Sequence, residues 1–254
     1  MPSEYSIEFD HVTFRLPDGR PLLADLTLSV KAGETLVLLG RSGSGKTTTM
    51  KLINRLLDPS AGEVRVQGKS TLDWDPIQLR RRIGYVIQEI GLFPHLSVEQ
   101  NVGLVPRLEE WPRDRISARV RELLQMVGLE PDRFGKRFPR ELSGGQRQRI
   151  GVARALAADP PIILLDEPFG ALDPITRRDL QQEFRELQQR LKKTMVFVTH
   201  DVREALLLAS RIGLLKDGKL ILLGLQTDLL RSNDPEARAF AACALDEQTP
   251  GSAP

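Results

Sequence analysis

Cysteine is nearly absent: the 254 residues contain one, Cys243. A single thiol excludes an internal disulfide, fits a reducing compartment and packs most simply as a small apolar side chain. Aromatic residues are scarce as well, at 5%, so the stacking platforms that hold single-stranded nucleic acid are not expected. Nor is either charge in excess. With 36 Lys and Arg against 34 Asp and Glu, the formal net charge is +2, which gives no electrostatic case for nucleic acid as a partner. No apolar run approaches the roughly 20 residues that cross a bilayer, and the opening Met1-Pro2-Ser3-Glu4 lacks the basic-then-apolar layout of a signal peptide. Contact with a membrane is therefore expected to pass through another protein. What remains, 41% hydrophobic and 28% charged, is the composition of a globular chain long enough for one large domain or two small ones.

What the sequence does have is a glycine-rich loop. Gly40-Arg41-Ser42-Gly43-Ser44-Gly45-Lys46-Thr47 follows the apolar run Thr35 to Leu39 and precedes Thr48-Thr49-Met50-Lys51-Leu52-Ile53, so it sits where a buried strand turns into a helix. Three glycines let successive N–H groups turn inward, and the helix that follows presents its unsatisfied donors and positive dipole end. This is a phosphate cradle. Lys46 reaches the β- and γ-phosphates as a point charge, and the Thr47 hydroxyl completes the coordination of Mg²⁺.

The rest of the chain falls into place around that loop. Ile7 to Leu16 alternates apolar and polar residues and breaks at Pro17-Asp18-Gly19, predicting an edge-type strand and a hairpin turn. Leu26 to Val30 and Gly62 to Gly68 add strands, together a small antiparallel sheet. Ile83 to Gln88 is a β-branched run ending in a polar residue at the strand edge where ligands bind in open parallel sheets. From about Pro106 to Leu129 the period turns helical, with Ile116, Val120, Leu123, Leu124 and Val127 on one face. This block predicts an inserted helical subdomain, about 89–158. It closes at Leu142-Ser143-Gly144-Gly145-Gln146, where Ser143 is a helix N-cap and the two glycines permit close approach to the helix terminus.

Pro161 to Glu167 is an apolar run ending in two acids, as expected of a buried parallel strand that delivers carboxylates to the ligand edge. Asp166 is placed to hold Mg²⁺ through water, and Glu167 to accept a proton from an attacking water. A helix over Ile175 to Lys192 buries Leu180, Phe184, Leu187 and Leu191. Thr194 to Thr199 forms another buried strand, and His200 stands at its end among the other polar strand ends. A hairpin turns through Asp217-Gly218, and the tail from about Asp246 to Pro254 is expected to be disordered.

Taken together, the loop at Gly40 to Thr47, Gln88, Leu142 to Gln146, Asp166-Glu167, Ala171-Leu172-Asp173 and His200 resemble an ATP-binding cassette (ABC) ATPase. The match runs from about Ile7 to about Arg238. The resemblance implies an α/β fold: a P-loop NTPase core with a mostly parallel sheet, an N-terminal antiparallel β-subdomain and an inserted α-helical subdomain, all within an ATP-binding domain of residues 5–242. It also implies a head-to-tail homodimer in which Ser143, Gly144, Gly145 and Gln146 of one copy meet the ATP held by Gly40 to Thr48 of the other. In that scheme Glu167 is the general base, His200 steadies the γ-phosphate and the water, Gln88 contacts Mg²⁺ and the water while sensing a membrane partner, and Asp173 lies at the dimer seam. Family members stack adenine on an aromatic residue of the first strand. Here the matching position is Leu16, with Phe14 two residues earlier as the other candidate.

Thr47 to Leu56, Ile83 to Gln88, Ile90 to His95 and Ala171 to Arg177 are similar to the cassettes of bacterial osmoprotectant importers, which handle glycine betaine, choline, carnitine or proline. Several of those carry C-terminal cystathionine-β-synthase-type domains, which this sequence is expected to lack. The expected partners are a second copy, two transmembrane permease subunits docking in a groove around Gln88, an exposed Leu92 and Phe93, and Pro94, and a solute-binding protein reached through the permease. The expected place is the cytoplasmic face of the bacterial inner membrane. A cassette for another cargo, such as a polar amino acid or a lipid, and a soluble non-transport ABC ATPase are the alternatives.

Overall fold

The computed structural model describes residues 4–88, 91–170 and 172–245. The chain forms two compact units, one from its two ends and one from the intervening Ile77–Lys193. The first unit opens with β1 (Tyr5–Arg15) and β2 (Pro21–Lys31), an antiparallel pair joined through the predicted turn. The apolar strand β3 (Thr35–Leu39) follows, then α1 (Lys46–Ile53), β4 (Ala61–Val66) and the short β5 (Lys69–Ser70). The small sheet has the order β2-β1-β4-β5, so β1 is paired on both sides and is not the edge strand its pattern predicts. Alternation reports only that one face of a strand is buried; it carries no information on how many neighbours flank it.

The second unit begins with α2 (Pro76–Arg81), which starts at its boundary, and β6 (Ile83–Val86). Helices then follow without an intervening strand among the described residues: α3 (Val98–Val102), α4 (Leu104–Leu108), α5 (Arg113–Met126), α6 (Pro131–Phe134) and, after a 3₁₀ turn at Pro139–Glu141, α7 (Gly144–Leu156). The helical period read across Pro106 to Leu129 is carried by two helices, broken where Pro112 serves as the N-cap of α5 with an extended ψ of 141°. α4 stops at Leu108, Glu110 follows in the left-handed region at φ 58°, and Trp111, placed before a proline, is disfavoured from the α conformation, so the next helix starts only after Pro112, at Arg113. On α5, Val120, Leu123 and Leu124 are buried as predicted, and Ile116 is half-buried. The unit ends with β7 (Ile162–Asp166), parallel to β6, and α8 (Pro174–Leu191), whose buried stripe is Leu180, Phe184 and Leu187.

The chain returns to the first unit with β8 (Thr194–Thr199), α9 (Val202–Leu208), β9 (Arg211–Lys216), β10 (Lys219–Gly224), α10 (Gln226–Arg231) and α11 (Pro235–Leu245). There β3 lies between β9 and β8 and is parallel to both, while β10 runs antiparallel to β9 through the predicted turn. All residues of β3, β7 and β8 are buried, which is why each reads as a continuous apolar run rather than an alternating one. Each buried Leu, Val or Ile in such a strand contributes about 1.5–3 kcal/mol of transfer free energy. The expected tail, 246–254, lies outside the described residues, as does Ala171.

Candidate active site

In the first unit the site is built on β3. Its chain leaves the sheet at Leu39, and α1 begins at Lys46 with Gly45 as N-cap in the left-handed region, φ 102°, and no side chain capping the helix. The first N–H groups of α1 are thus left for whatever sits at the terminus. The left-handed backbone favours glycine at this turn, and a Cβ on Gly45 would lie 2.5 Å from Leu23 Cδ2, so that side chain would have to shift. Lys46 is 5% exposed, and its Nζ donates to the carbonyls of Gly40 and Arg41, both at 2.8 Å. The buried Ser44 hydroxyl has no hydrogen-bond partner. A buried ammonium held partly by neutral carbonyls, an orphaned hydroxyl and uncapped helix donors on one loop fit an anionic, phosphate-bearing ligand.

Phe14 and Leu16 are not equivalent. β1 ends at Arg15, and Leu16 sits in the turn, its N–H donating to Arg20 O and its carbonyl accepting from Gly19. The strict alternation that would put both on one strand face therefore stops before Leu16, and irregular register at Val12, Phe14 and Arg15 breaks it further. Phe14 pairs across the hairpin with Leu23, the side chain that packs against Gly45.

His200 follows β8 and is exposed. Its neighbour Thr199 is buried; the Thr199 hydroxyl donates to Glu204 Oε2 at 2.5 Å and accepts from the Asp201 N–H at 2.9 Å. Asp201 in turn caps α9 by accepting from Arg203 N–H at 2.8 Å. Both flanks of His200 are fixed. Sequence reasoning missed the buried Glu204, and its only signal is position, five residues after Thr199 on the face of α9 turned to the sheet.

In the second unit, Asp166 ends β7 at 3% exposure. Glu167 is half-buried and has φ +43°, a backbone conformation that costs a non-glycine residue about 1 kcal/mol or more and recurs at functional sites. Gln88, placed just after β6, donates from Nε2 to Glu167 Oε2 at 3.3 Å, so two predicted site residues 79 apart in sequence are brought together. Tyr85 of β6, not singled out from sequence, approaches Asp166 Oδ2 with its hydroxyl at 3.4 Å. Burial, then the Asp166 charge, pushes the Tyr85 phenol above its ordinary range, so it stays a neutral donor.

Ser143 caps α7 in a full capping box: its hydroxyl accepts from Gln146 N–H at 3.2 Å, and Gln146 Oε1 accepts from Ser143 N–H at 3.0 Å. The Gln146 side-chain oxygen therefore works locally, fixing Ser143. A Cβ on Gly145 would meet Thr176 Cγ2 at 2.9 Å, so this glycine lets α7 pack closely on α8. Asp173 caps α8 through the Thr176 N–H at 3.0 Å, and those hydrogen bonds hold its carboxyl below the usual range. In the loop after Gln88, Phe93 is 42% exposed, whereas Leu92, expected to be exposed, is half-buried. Buried Asn101 pins this loop, accepting from Phe93 N–H and donating to the carbonyls of Phe93, Leu96 and Ser97.

The sequence profile described as "ABC transporter" matches residues 23–170. The chain belongs to the ABC transporter family. Among proteins similar to this cassette, the choline transport ATP-binding protein OpuBA of Bacillus subtilis (strain 168) is 53% identical over 226 residues, 89% of this chain and 59% of that protein. The glycine betaine uptake system ATP-binding protein YehX of Escherichia coli (strain K12) is 51% identical over 215 residues, 85% of this chain and 69% of that protein. Among solved structures, the dimeric post-hydrolysis state of the ATP-binding cassette MJ0796 bound to ADP and Pi is 37% identical with a TM-score of 0.76, covering 86% of this chain and 98% of that one. The chain spans about three fifths of the length of the first of these relatives. As in such ABC cassettes, the fold is an α/β P-loop core with a mostly parallel sheet, an antiparallel N-terminal sheet and an inserted helical segment. No helix among the described residues is long and apolar enough to cross a membrane.

Proposed function

We propose that residues 5–242 form the ATP-hydrolysing, nucleotide-binding subunit of a membrane importer for a small osmoprotectant such as glycine betaine, choline or proline. The observation that carries the hydrolytic reading is Glu167, which follows the buried Asp166 in a left-handed conformation and is held by Gln88 Nε2 at 3.3 Å. A half-buried carboxylate steadied by one amide N–H suits a general base that takes the proton of an attacking water. Gly40 to Thr48 bind the triphosphate, with the Lys46 ammonium leaving its loop carbonyls for phosphate oxygens. Phe14, opposite the Leu23 that packs on Gly45, is the better adenine contact of the two candidates. His200 steadies the γ-phosphate and the water.

The donors offered to magnesium, the Thr47 hydroxyl, the Asp166 carboxylate and the Gln88 amide oxygen, are hard oxygen groups that suit this ion together with substrate phosphates. When bound, the ion neutralises charge on the β- and γ-phosphates. Ser143, Gly144 and Gly145 of a second copy close on the nucleotide, with Asp173 at the seam; the dimeric MJ0796 cassette supports this reading. The osmoprotectant cargo is supported by the names of OpuBA and YehX, and the place is the cytoplasmic face of the inner membrane.

The test is to purify the tagged chain from detergent-solubilised membranes of its native host, assay phosphate release from MgATP and identify co-purifying proteins by mass spectrometry. Permease subunits with a solute-binding protein that takes up betaine or choline are expected. Recovery with ribosomal or DNA-repair proteins would move the function to a non-transport ABC ATPase, and a binding protein selective for another solute would change the cargo.

A further inference from the structure

Arg41, the second residue of the glycine-rich loop, is fastened at both ends. Its carbonyl accepts from Lys46 Nζ at 2.8 Å, and its Nε donates to Glu236 Oε1 at 2.5 Å, a residue 195 positions further along the chain. Glu236 lies in the first turn of α11 and is 7% exposed. Lys216, at the end of β9, places Nζ 3.7 Å from Glu236 Oε2. The backbone that carries Glu236 is set independently of these cations, because Asp234 Oδ1 accepts from the N–H groups of Glu236 at 2.8 Å and Ala237 at 3.1 Å.

A carboxylate removed from water is costly unless paired, and a negative charge near a loop built for phosphates opposes its ligand. Nothing in the binding or hydrolysis of a triphosphate calls for Glu236. Its position is explained if it holds the loop. Through Arg41 it fixes the residue whose carbonyl receives Lys46, while its second oxygen faces the end of β9, the strand whose Leu215 carbonyl packs against Gly40.

We propose that Glu236 is a positioning residue for the phosphate loop and that it links the C-terminal helix α11 to nucleotide occupancy. The proposal rests on the reading of the loop as a triphosphate site. Linkage makes it reciprocal: if the docked helix raises nucleotide affinity, bound nucleotide must hold the helix in place by the same factor.

The test uses the full chain and MgATP. Glu236→Gln keeps the side-chain shape and removes the charge. It is expected to raise the Kd for MgATP by about fivefold, on the order of one partly exposed charge pair, with the loss appearing in KM rather than in kcat. Amide hydrogen exchange over 235–241 is expected to slow when MgATP binds to the native chain and not in Glu236→Gln. Arg41→Gln breaks the same pair from the exposed side, and the double variant is expected to be no worse than the poorer single one. Should Glu236→Gln fail to fold, Arg41→Gln with the exchange measurement on α11 decides alone. Native-like affinity in Glu236→Gln, additive losses in the double variant, or exchange in α11 indifferent to nucleotide would each overturn the proposal while leaving the triphosphate site standing. Failure of the native chain to bind MgATP would overturn both.

Discussion

In the proposed site Glu167 and Lys46 carry opposite tasks, and single substitutions separate them. Glu167→Gln retains the size and the hydrogen bond to Gln88 but cannot take a proton, so phosphate release is expected to fall by about 10²-fold or more while the Kd for MgATP changes little. Steady-state turnover at native rates in that variant would remove Glu167 from the base role. Lys46→Ala deletes the buried ammonium, and there the Kd itself is expected to rise, by about tenfold or more, in a calorimetric titration with MgATP. The positions of Lys46 at a helix start and Asp166 at a strand end were legible in the sequence because a loop motif and a strand-terminal acid pair are contiguous patterns. The Gln88–Glu167 and Tyr85–Asp166 contacts were not, since each spans about eighty residues and depends on β6 lying beside β7.

Two helices of the second unit start on side-chain caps, Ser143 read from the sequence and Asp173 found in the structure. Ser143→Ala removes the hydroxyl that accepts from Gln146 N–H and is expected to cost about 1 kcal/mol of stability in urea unfolding, on top of any effect on nucleotide turnover. Asp173 adds a pH dependence to the cap of α8. Its carboxyl is held below the ordinary range by Thr176, so its contribution is present above the unfolded-state value and is lost as pH falls through the lower folded-state value. The difference in melting temperature between the native chain and Asp173→Ala is therefore expected to be full at neutral pH and to shrink in acid. A difference that grew on acidification would exclude the cap as its source. Helix boundaries were legible where a cap or proline marks them, and the split at Pro112 follows from the same rule once that proline is given more weight than the periodicity around it.

For the molecule as a whole, nucleotide is expected to act as a stabilising ligand. At MgATP about 100-fold above its Kd, linkage gives about 2.7 kcal/mol, which for a chain of this size is a rise of roughly 5–10 °C in melting temperature. The same ligand added to Glu167→Gln is expected to double the mass in solution, as measured by light scattering after gel filtration; a monomer at saturating MgATP would overturn the head-to-tail dimer.

The sequence by itself determined the glycine-rich loop, the buried strands β3, β7 and β8, and the cap at Ser143. Each of these is encoded in a run of neighbouring residues, where glycine torsions, apolar continuity or a hydroxyl at a helix start act over a few bonds. Only the tertiary structure placed β1 inside its sheet, ended it before Leu16, joined Gln88 to Glu167 and carried Glu236 to Arg41. These depend on which strand lies beside which and where a distant helix comes to rest, and such long-range pairings leave no periodic trace in the residues that make them.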